Sequence, residues 1–287
     1  MKVLIIGSGG QLGWELLRTT PRGTDINAVD YPQVDFLKPD TIRDCIARHT
    51  PDWIINAAAY TAVDQAESDQ ENAYHINHEA VSVIARAAEA HHSRLAHIST
   101  DYIFSGRHYK PLQPDDPADP QSVYGMSKWK GETALLEVSA VKSLIIRTAW
   151  LYSAHGKNFV KTMLKLMTDG KPLNVIDEQV GTPTWAKGLA QAIWICIDKS
   201  ISGTFHWTDA GAASWYDFAV AIQEEAITLD LLQTPVPITP VLSTQFPTPA
   251  QRPFYSILDK HSMWQATGIT PVHWRVQLRA MLGELKE

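Results

Sequence analysis

Tyr124 and Lys128 stand four residues apart, the spacing that places two side chains on one face of a helix. An ammonium beside a phenol favours the phenolate and lowers the tyrosine pKa, so such a pair can exchange a proton with a carbinol or carbonyl oxygen. The lysine can also hold a ribose. Thr100 closes the string His97-Ile-Ser-Thr100 and can give the same oxygen a second hydrogen bond. A Tyr-x-x-x-Lys spacing also recurs by chance on solvated helix faces, so its meaning depends on what accompanies it.

The companion motif is Gly7-Ser-Gly-Gly-Gln-Leu-Gly13, with glycines at 7, 10 and 13. Glycines let a backbone turn tightly and approach a pyrophosphate, whose charge meets the free amides of a helix N-terminus. The turn directly follows an apolar run, Val3 to Ile6, and Asp30 closes the next one. A carboxylate there can accept hydrogen bonds from an adenosine ribose; the plainer reading of Asp30 is an ordinary turn residue. In this order the glycine turn and the Tyr-Lys pair predict hydride transfer with a nicotinamide dinucleotide.

These groups need a scaffold that gathers several strand ends. Uninterrupted apolar runs at 3–6, 26–29, 53–55, 95–98 and 143–146 alternate with helical patterns near 11–17, 39–48, 71–91 and 122–138. Runs of that kind are buried on both faces of a parallel sheet, and each parallel crossover needs a helix. The fold predicted is α/β, a Rossmann-type doubly wound parallel sheet, with residues 1–150 as the NAD(P)-binding unit. Beyond Trp150 the pattern loosens, with helices expected near 157–169, 186–197, 215–227 and 276–285. Residues 151–287 read mainly as a smaller, substrate-binding α/β domain, the chain re-entering the first unit around 172–200. Prolines at 235, 237, 240, 247, 249 and 253 rule out a long regular element there and suggest ordered loops around a site.

Composition narrows the partners. In 287 residues, 25 Lys and Arg face 31 Asp and Glu, a formal charge of −6 with no basic tract, which argues against nucleic acid. Cys45 and Cys196 are too few for a disulfide framework or a cysteine zinc site. No apolar run approaches the ~20 residues that span a bilayer, and the N-terminal segment reads as a strand rather than a secretory signal. A cytoplasmic protein with no membrane association is expected.

Four strings carry a resemblance to a known family: Gly9-Gly-Gln-Leu-Gly13, Asn56-Ala-Ala-Ala-Tyr-Thr-Ala-Val-Asp64, Ser99-Thr-Asp-Tyr-Ile-Phe104 and Arg147-Thr-Ala-Trp-Leu-Tyr152. With Tyr124-x-x-x-Lys128, Gln179-Val-Gly-Thr-Pro-Thr184 and Arg252-Pro-x-x-Ser-x-Leu-Asp259, the chain resembles the extended short-chain dehydrogenase/reductases over nearly its whole length. The resemblance implies reduction of the 4-keto group of a dTDP-linked deoxysugar by NADPH or NADH. It places Gly7, Gly10, Gln11, Leu12 and Gly13 along the dinucleotide phosphates. Asp30, Asp35 and Phe36 bracket the adenosine, and Ala58 and Ala59 lie along the cofactor. Thr100, Tyr124 and Lys128 become catalytic; Asp101, Tyr102 and Trp150 meet the sugar, and Arg252 meets the nucleotide diphosphate. A platform role for Trp150 implies that truncating it harms kinetics more than melting, whereas a core tryptophan would do the reverse. The family also contains homodimers bridged by magnesium through acidic residues. Glu284 matches one such acid, but no second acid stands near 186–189, so no metal is expected here. Two further functions share the fold, an epimerase or dehydratase that retains its cofactor, and a non-catalytic regulatory subunit.

Overall fold

A computed structural model describes residues 1–138 and 142–286. Six parallel strands form the central sheet: β1 (Lys2–Ile6), β2 (Asp25–Val29), β3 (Trp53–Asn56), β4 (Arg94–Thr100), β5 (Ser143–Thr148) and β6 (Gly203–His206). Their spatial order is β6-β5-β4-β3-β1-β2. The chain starts in the interior and reverses direction across the sheet between β1 and β3, which opens a crevice beyond the carboxyl ends of those strands.

The continuous apolar runs are explained by cover on both faces. Val3, Ile5, Trp53, Ile55, Leu144 and Ile146 pack against Leu12 and Leu16 of the helix Gln11–Arg18 and against Leu189, Ile193 and Trp194 of the helix Ala186–Asp198. Their neighbours in sequence, Leu4, Ile6, Ile54, Leu95 and Ile145, face the opposite layer, where Ile42 and Ile46 of Pro39–His49 meet Val81, Ile84 and Ala85 of Ala80–Ala90. Each fully buried Ile or Leu contributes about 2 kcal/mol, so period-two alternation gives way to unbroken hydrophobicity.

The second half has its own core. Val160, Met163 and Met167 of the helix Phe159–Thr168 pack with Phe218 and Ile222 of Trp215–Thr228 and with Leu278 and Met281 of Trp274–Glu284. Within 172–200, the strand Leu173–Ile176 pairs with Ile238–Val241 apart from the main sheet, while the helix Ala186–Asp198 covers β1 and leads into β6. Most of the proline-rich stretch is irregular, apart from Ile238–Val241 and a short turn at Ser243–Gln245.

The helix expected over 71–91 is not regular throughout. It runs as Gln70–Tyr74, a π-turn His75–Glu79, then Ala80–Ala90. Asn77 in that turn accepts from the Tyr60 amide at 2.9 Å and donates to the Tyr60 carbonyl at 3.0 Å and to Ser127 Oγ at 3.1 Å. A single inserted residue is often used in this way, to aim a side chain that regular helix would turn away.

Candidate active site

A cavity of about 630 Å³ occupies the crevice, lined by the glycine turn at one end and by Thr100, Tyr124, Lys128 and Trp150 at the other. A separate cavity of about 370 Å³ beside Trp194, Trp207 and Trp264 contains none of these groups.

Gly7 directly follows β1 at φ +87°, and a side chain there would come within 2.6 Å of the Ala58 amide nitrogen. Only glycine permits both the turn and this closeness of the β1 and β3 ends. Tyr124 lies in the first turn of the helix Val123–Glu137, which Ser122 caps by accepting from the Gly125 amide at 3.1 Å. A methyl group at Gly125 would stand 2.2 Å from the Tyr102 carbonyl oxygen, so this glycine allows the helix to lie directly on the segment after β4.

Thr100 follows from β4 and caps the turn Asp101–Ile103, accepting from the Tyr102 amide at 3.2 Å. Its hydroxyl donates to Asp101 Oδ1 at 3.0 Å and stands near enough to the Tyr124 phenol to lower its pKa. The Tyr102 and Tyr124 rings meet edge to face, with centroids 5.4 Å apart.

Electrostatics correct the expected lowering of Tyr124. Burial pushes its phenol up to about 12, partly offset by the Thr100 hydrogen bond. The Lys128 ammonium instead donates to the Ile98 carbonyl at 2.6 Å and lies 3.5 Å from His97 Nε2. Burial lowers Lys128 to about 8 against the favourable field of Glu132, and burial raises the Asp101 carboxyl to about 6 against hydrogen bonds from Ser256 and Thr100.

Of the residues expected along a dinucleotide, Gly7, Gly10, Gln11, Leu12, Asp30, Ala58 and Ala59 line the cavity. Gly13 does not; it packs beneath the turn, where a side chain would strike the Gly7 oxygen at 2.2 Å. Asp35 and Phe36 also lie outside the lining. Asp35 accepts from the Leu37 amide at 3.0 Å and pairs with Lys38 at 3.2 Å, and Phe36 packs on the apolar layer below. Asp30 accepts from the Gly9 amide at 2.6 Å and the Tyr31 amide at 2.8 Å. Ser99 Oγ and Thr148 Oγ1, both in residues lining the cavity, are buried without a hydrogen-bond partner. Unpartnered hydroxyls in the same cavity as the N-terminus of the helix Gln11–Arg18 fit a polar, phosphate-bearing ligand.

Sequence reasoning missed the segment after β5. Ser153 Oγ donates to Glu15 at 2.9 Å, His155 Nε2 lies 3.0 Å from the Gly9 carbonyl, and Asn158 donates to Gln11 at 2.9 Å. Gly156, Lys157 and Asn158 line the cavity. The available signal was a glycine shortly before Asn158, a helix-capping residue.

Among the expected substrate residues, Asp101, Tyr102 and Trp150 line the cavity and Arg252 does not. The Arg252 fork is committed to Asp64, Nη1 to Oδ1 at 2.9 Å and Nη2 to Oδ2 at 2.6 Å. Trp150 sits at φ +46°, rare for a bulky residue, and its indole stacks on Trp215 at 3.6 Å with the rings 9° apart. That half-buried stack changes the expectation for truncation. Trp150→Ala should cost about 3 kcal/mol by denaturant melting and also raise KM; a change in only one of the two would assign the ring to a single role.

Glu284 does not stand ready for a bridging metal. It pairs with Arg18 at 2.8 Å and with Lys187 at 2.8 Å, Lys187 lying in the window where a second acid was sought, and Arg18 also reaches Glu15 at 3.7 Å. Two cations answer two carboxylates, leaving no net negative charge for a hard divalent ion. Among the described residues no cluster of three or more His, Cys, Asp or Glu could hold a metal.

A parallel sheet with a glycine turn after its first strand and a Tyr-Lys pair, its lysine buried, beside its fourth defines the class, the short-chain dehydrogenase/reductase fold in its extended form. The sequence matches the family model "RmlD substrate binding domain" over residues 1–287, and the chain belongs to that family. It is 39% identical over 284 residues to the spore coat polysaccharide biosynthesis protein SpsK of Bacillus subtilis, covering 99% of this chain and 97% of that one. It is also 39% identical over 295 residues to the dTDP-4-dehydrorhamnose reductase of Escherichia coli K12, covering 99% and 98%. A crystal structure of dTDP-4-dehydrorhamnose reductase from Bacillus anthracis in complex with NADP superposes with a TM-score of 0.92 at 33% identity, covering 99% of each chain.

Proposed function

We propose that this protein reduces the 4-keto group of dTDP-4-dehydro-L-rhamnose to give dTDP-L-rhamnose, using NADPH or NADH. The observation that carries the reading is the meeting of Thr100, Tyr124 and Lys128 in one cavity with the glycine turn. The Escherichia coli relative named for this reaction supplies the substrate. When bound, the reduced nicotinamide supplies the hydride. Gly7, Gly10, Gln11, Leu12, Asp30, Ala58 and Ala59 would hold the dinucleotide.

The chain's own work is on the carbonyl oxygen. Charge grows there during reduction, and Tyr124 donates the proton that neutralises it. With its phenol held at about 12, Tyr124 is protonated at neutral pH yet far more acidic than the alkoxide it must quench. Thr100 gives a second hydrogen bond to the same oxygen, and the Lys128 ammonium favours the phenolate left behind. Asp101, beside Thr100, is an acid that an eliminating enzyme of this fold could use; co-purification of tightly held oxidised cofactor would favour that alternative.

The direct test is turnover of the 4-keto sugar nucleotide followed by nicotinamide absorbance. Lys128 carries its charge below about 8 and loses it above, so kcat should fall as pH rises through that value; a rate that keeps rising to pH 10 would remove the ammonium from the mechanism. Both cofactors should serve. Asp30 disfavours a 2′-phosphate, but its two oxygens are already engaged by backbone amides. Complete rejection of NADH or NADPH in a kinetic comparison would show that the weight given to this carboxylate is wrong.

A further inference from the structure

We infer that His97 is a positioning residue for Lys128, a neutral imidazole whose tautomer is set by Asn56 and whose bare Nε2 accepts from the buried ammonium. The inference rests on the reductase reading for its functional consequence and on the following geometry for its substance.

Asn56 and His97 are register partners on β3 and β4, so their side chains leave the sheet side by side on one face. The Asn56 side-chain nitrogen Nδ2 lies 3.2 Å from His97 Nδ1, and His97 Nε2 lies 3.5 Å from Lys128 Nζ. All three residues are at most 1% exposed. The row links the end of β3 to the Tyr-Lys helix without touching solvent, and a buried polar row of this kind must satisfy its hydrogen bonds internally.

Counting hydrogens fixes the arrangement. Burial and the neighbouring ammonium push His97 well below its ordinary value, so the ring is neutral with a single N–H. An N–H on Nε2 would face the ammonium donor to donor. An N–H on Nδ1 leaves Nε2 bare as an acceptor, and it then needs an oxygen opposite Nδ1. The Asn56 amide can supply that oxygen by exchanging its two ends, which are nearly isosteric. The exchange gives up the bond that Oδ1 accepts from the Ala58 amide, long at 3.3 Å, and turns the Asn56 NH2 toward that N–H, the smaller cost beside a donor set against a buried ammonium.

The ammonium therefore divides its three donors among the Ile98 carbonyl, His97 and the cavity. Other charged or titratable groups about it are Tyr124 and Glu132 on its own helix, Asp101 after β4, and Arg147 on β5, which donates to Glu132 at 3.0 and 2.8 Å. Ile145, the register partner of His97 on β5, is apolar. His97 is the side chain that hydrogen-bonds Nζ.

The test reads Lys128 directly. Lysine labelled with 15N at Nζ, with Lys128→Met to assign the signal, gives its titration in the full-length protein with no sugar substrate present. His97→Leu should lower that titration by about one pH unit, the size a hydrogen bond to a charged group sustains. The alkaline fall of kcat should move by the same amount, and His97→Gln, which restores an acceptor, should reverse most of both shifts. Asn56→Leu, which takes away the oxygen that selects the tautomer, should lower the titration while leaving His97 in place, and it serves if His97→Leu does not fold. An unmoved Lys128 titration in whichever of these variants folds would reduce His97 to a space-filling residue and overturn the inference. Absence of ketosugar turnover in the parent protein would instead sink the reductase reading and leave the titration result standing.

Discussion

Tyr124→Phe is expected to lower kcat by about 10²- to 10⁴-fold, the range a positioned general acid contributes. The substitution removes one oxygen from a ring that otherwise stays against Tyr102, so folding and dinucleotide binding should be close to the parent's. The amides of the glycine turn and the Lys128 ammonium remain where they were. Stopped-flow turnover and binding titrations on the same sample separate the two effects. Retained turnover would mean that another group, such as Asp101 bonded to Thr100, protonates the product oxygen.

The largest effect on stability should come from Glu132→Leu. Glu132 and Arg147 form a nearly buried pair, side chains 5% and 10% exposed, closed by bonds of 3.0 and 2.8 Å to the guanidinium. Removing the carboxylate strands a guanidinium whose remaining partners are the Pro114 carbonyl at 2.8 Å and His206 Nε2 at 3.4 Å, and a stranded charge of this kind costs about 3–5 kcal/mol. Glu132→Leu combined with Arg147→Met should recover much of that loss, because no charge is left unpaired. Urea unfolding decides the matter; a loss below about 1 kcal/mol, the size of an exposed pair, would show that water reaches the guanidinium.

The parts of this site that could be read from sequence are those where one local rule settles the geometry. Gly7 was legible because a strand that turns directly into a helix needs a positive φ, and Tyr124 with Lys128 because four residues make about one helical turn. The buried strands were legible because double-sided cover erases alternation. What stayed hidden depends on meetings across the chain. His97 faces Lys128 only once β3, β4 and the helix are in register, and Arg252 finds Asp64 across 188 positions. The phenol's rise with burial, where its lysine neighbour suggested a fall, follows from a desolvation that no spacing rule reports. The π-turn at His75–Glu79 inserts a residue without changing the apolar pattern.

The segment Ser153–Asn158 has a consequence for autonomy. A fragment ending at Trp150 would keep every glycine of the dinucleotide turn yet lose the side chains that tether it, Ser153 on Glu15, His155 on Gly9 and Asn158 on Gln11. It would also lose the helix Ala186–Asp198, leaving Val3, Ile5, Leu144 and Ile146 with only the helix Gln11–Arg18 over that face. The motif-bearing first half is therefore half of a unit, and a graft of those residues onto another scaffold would carry the recognition sequence without the structure that makes it bind.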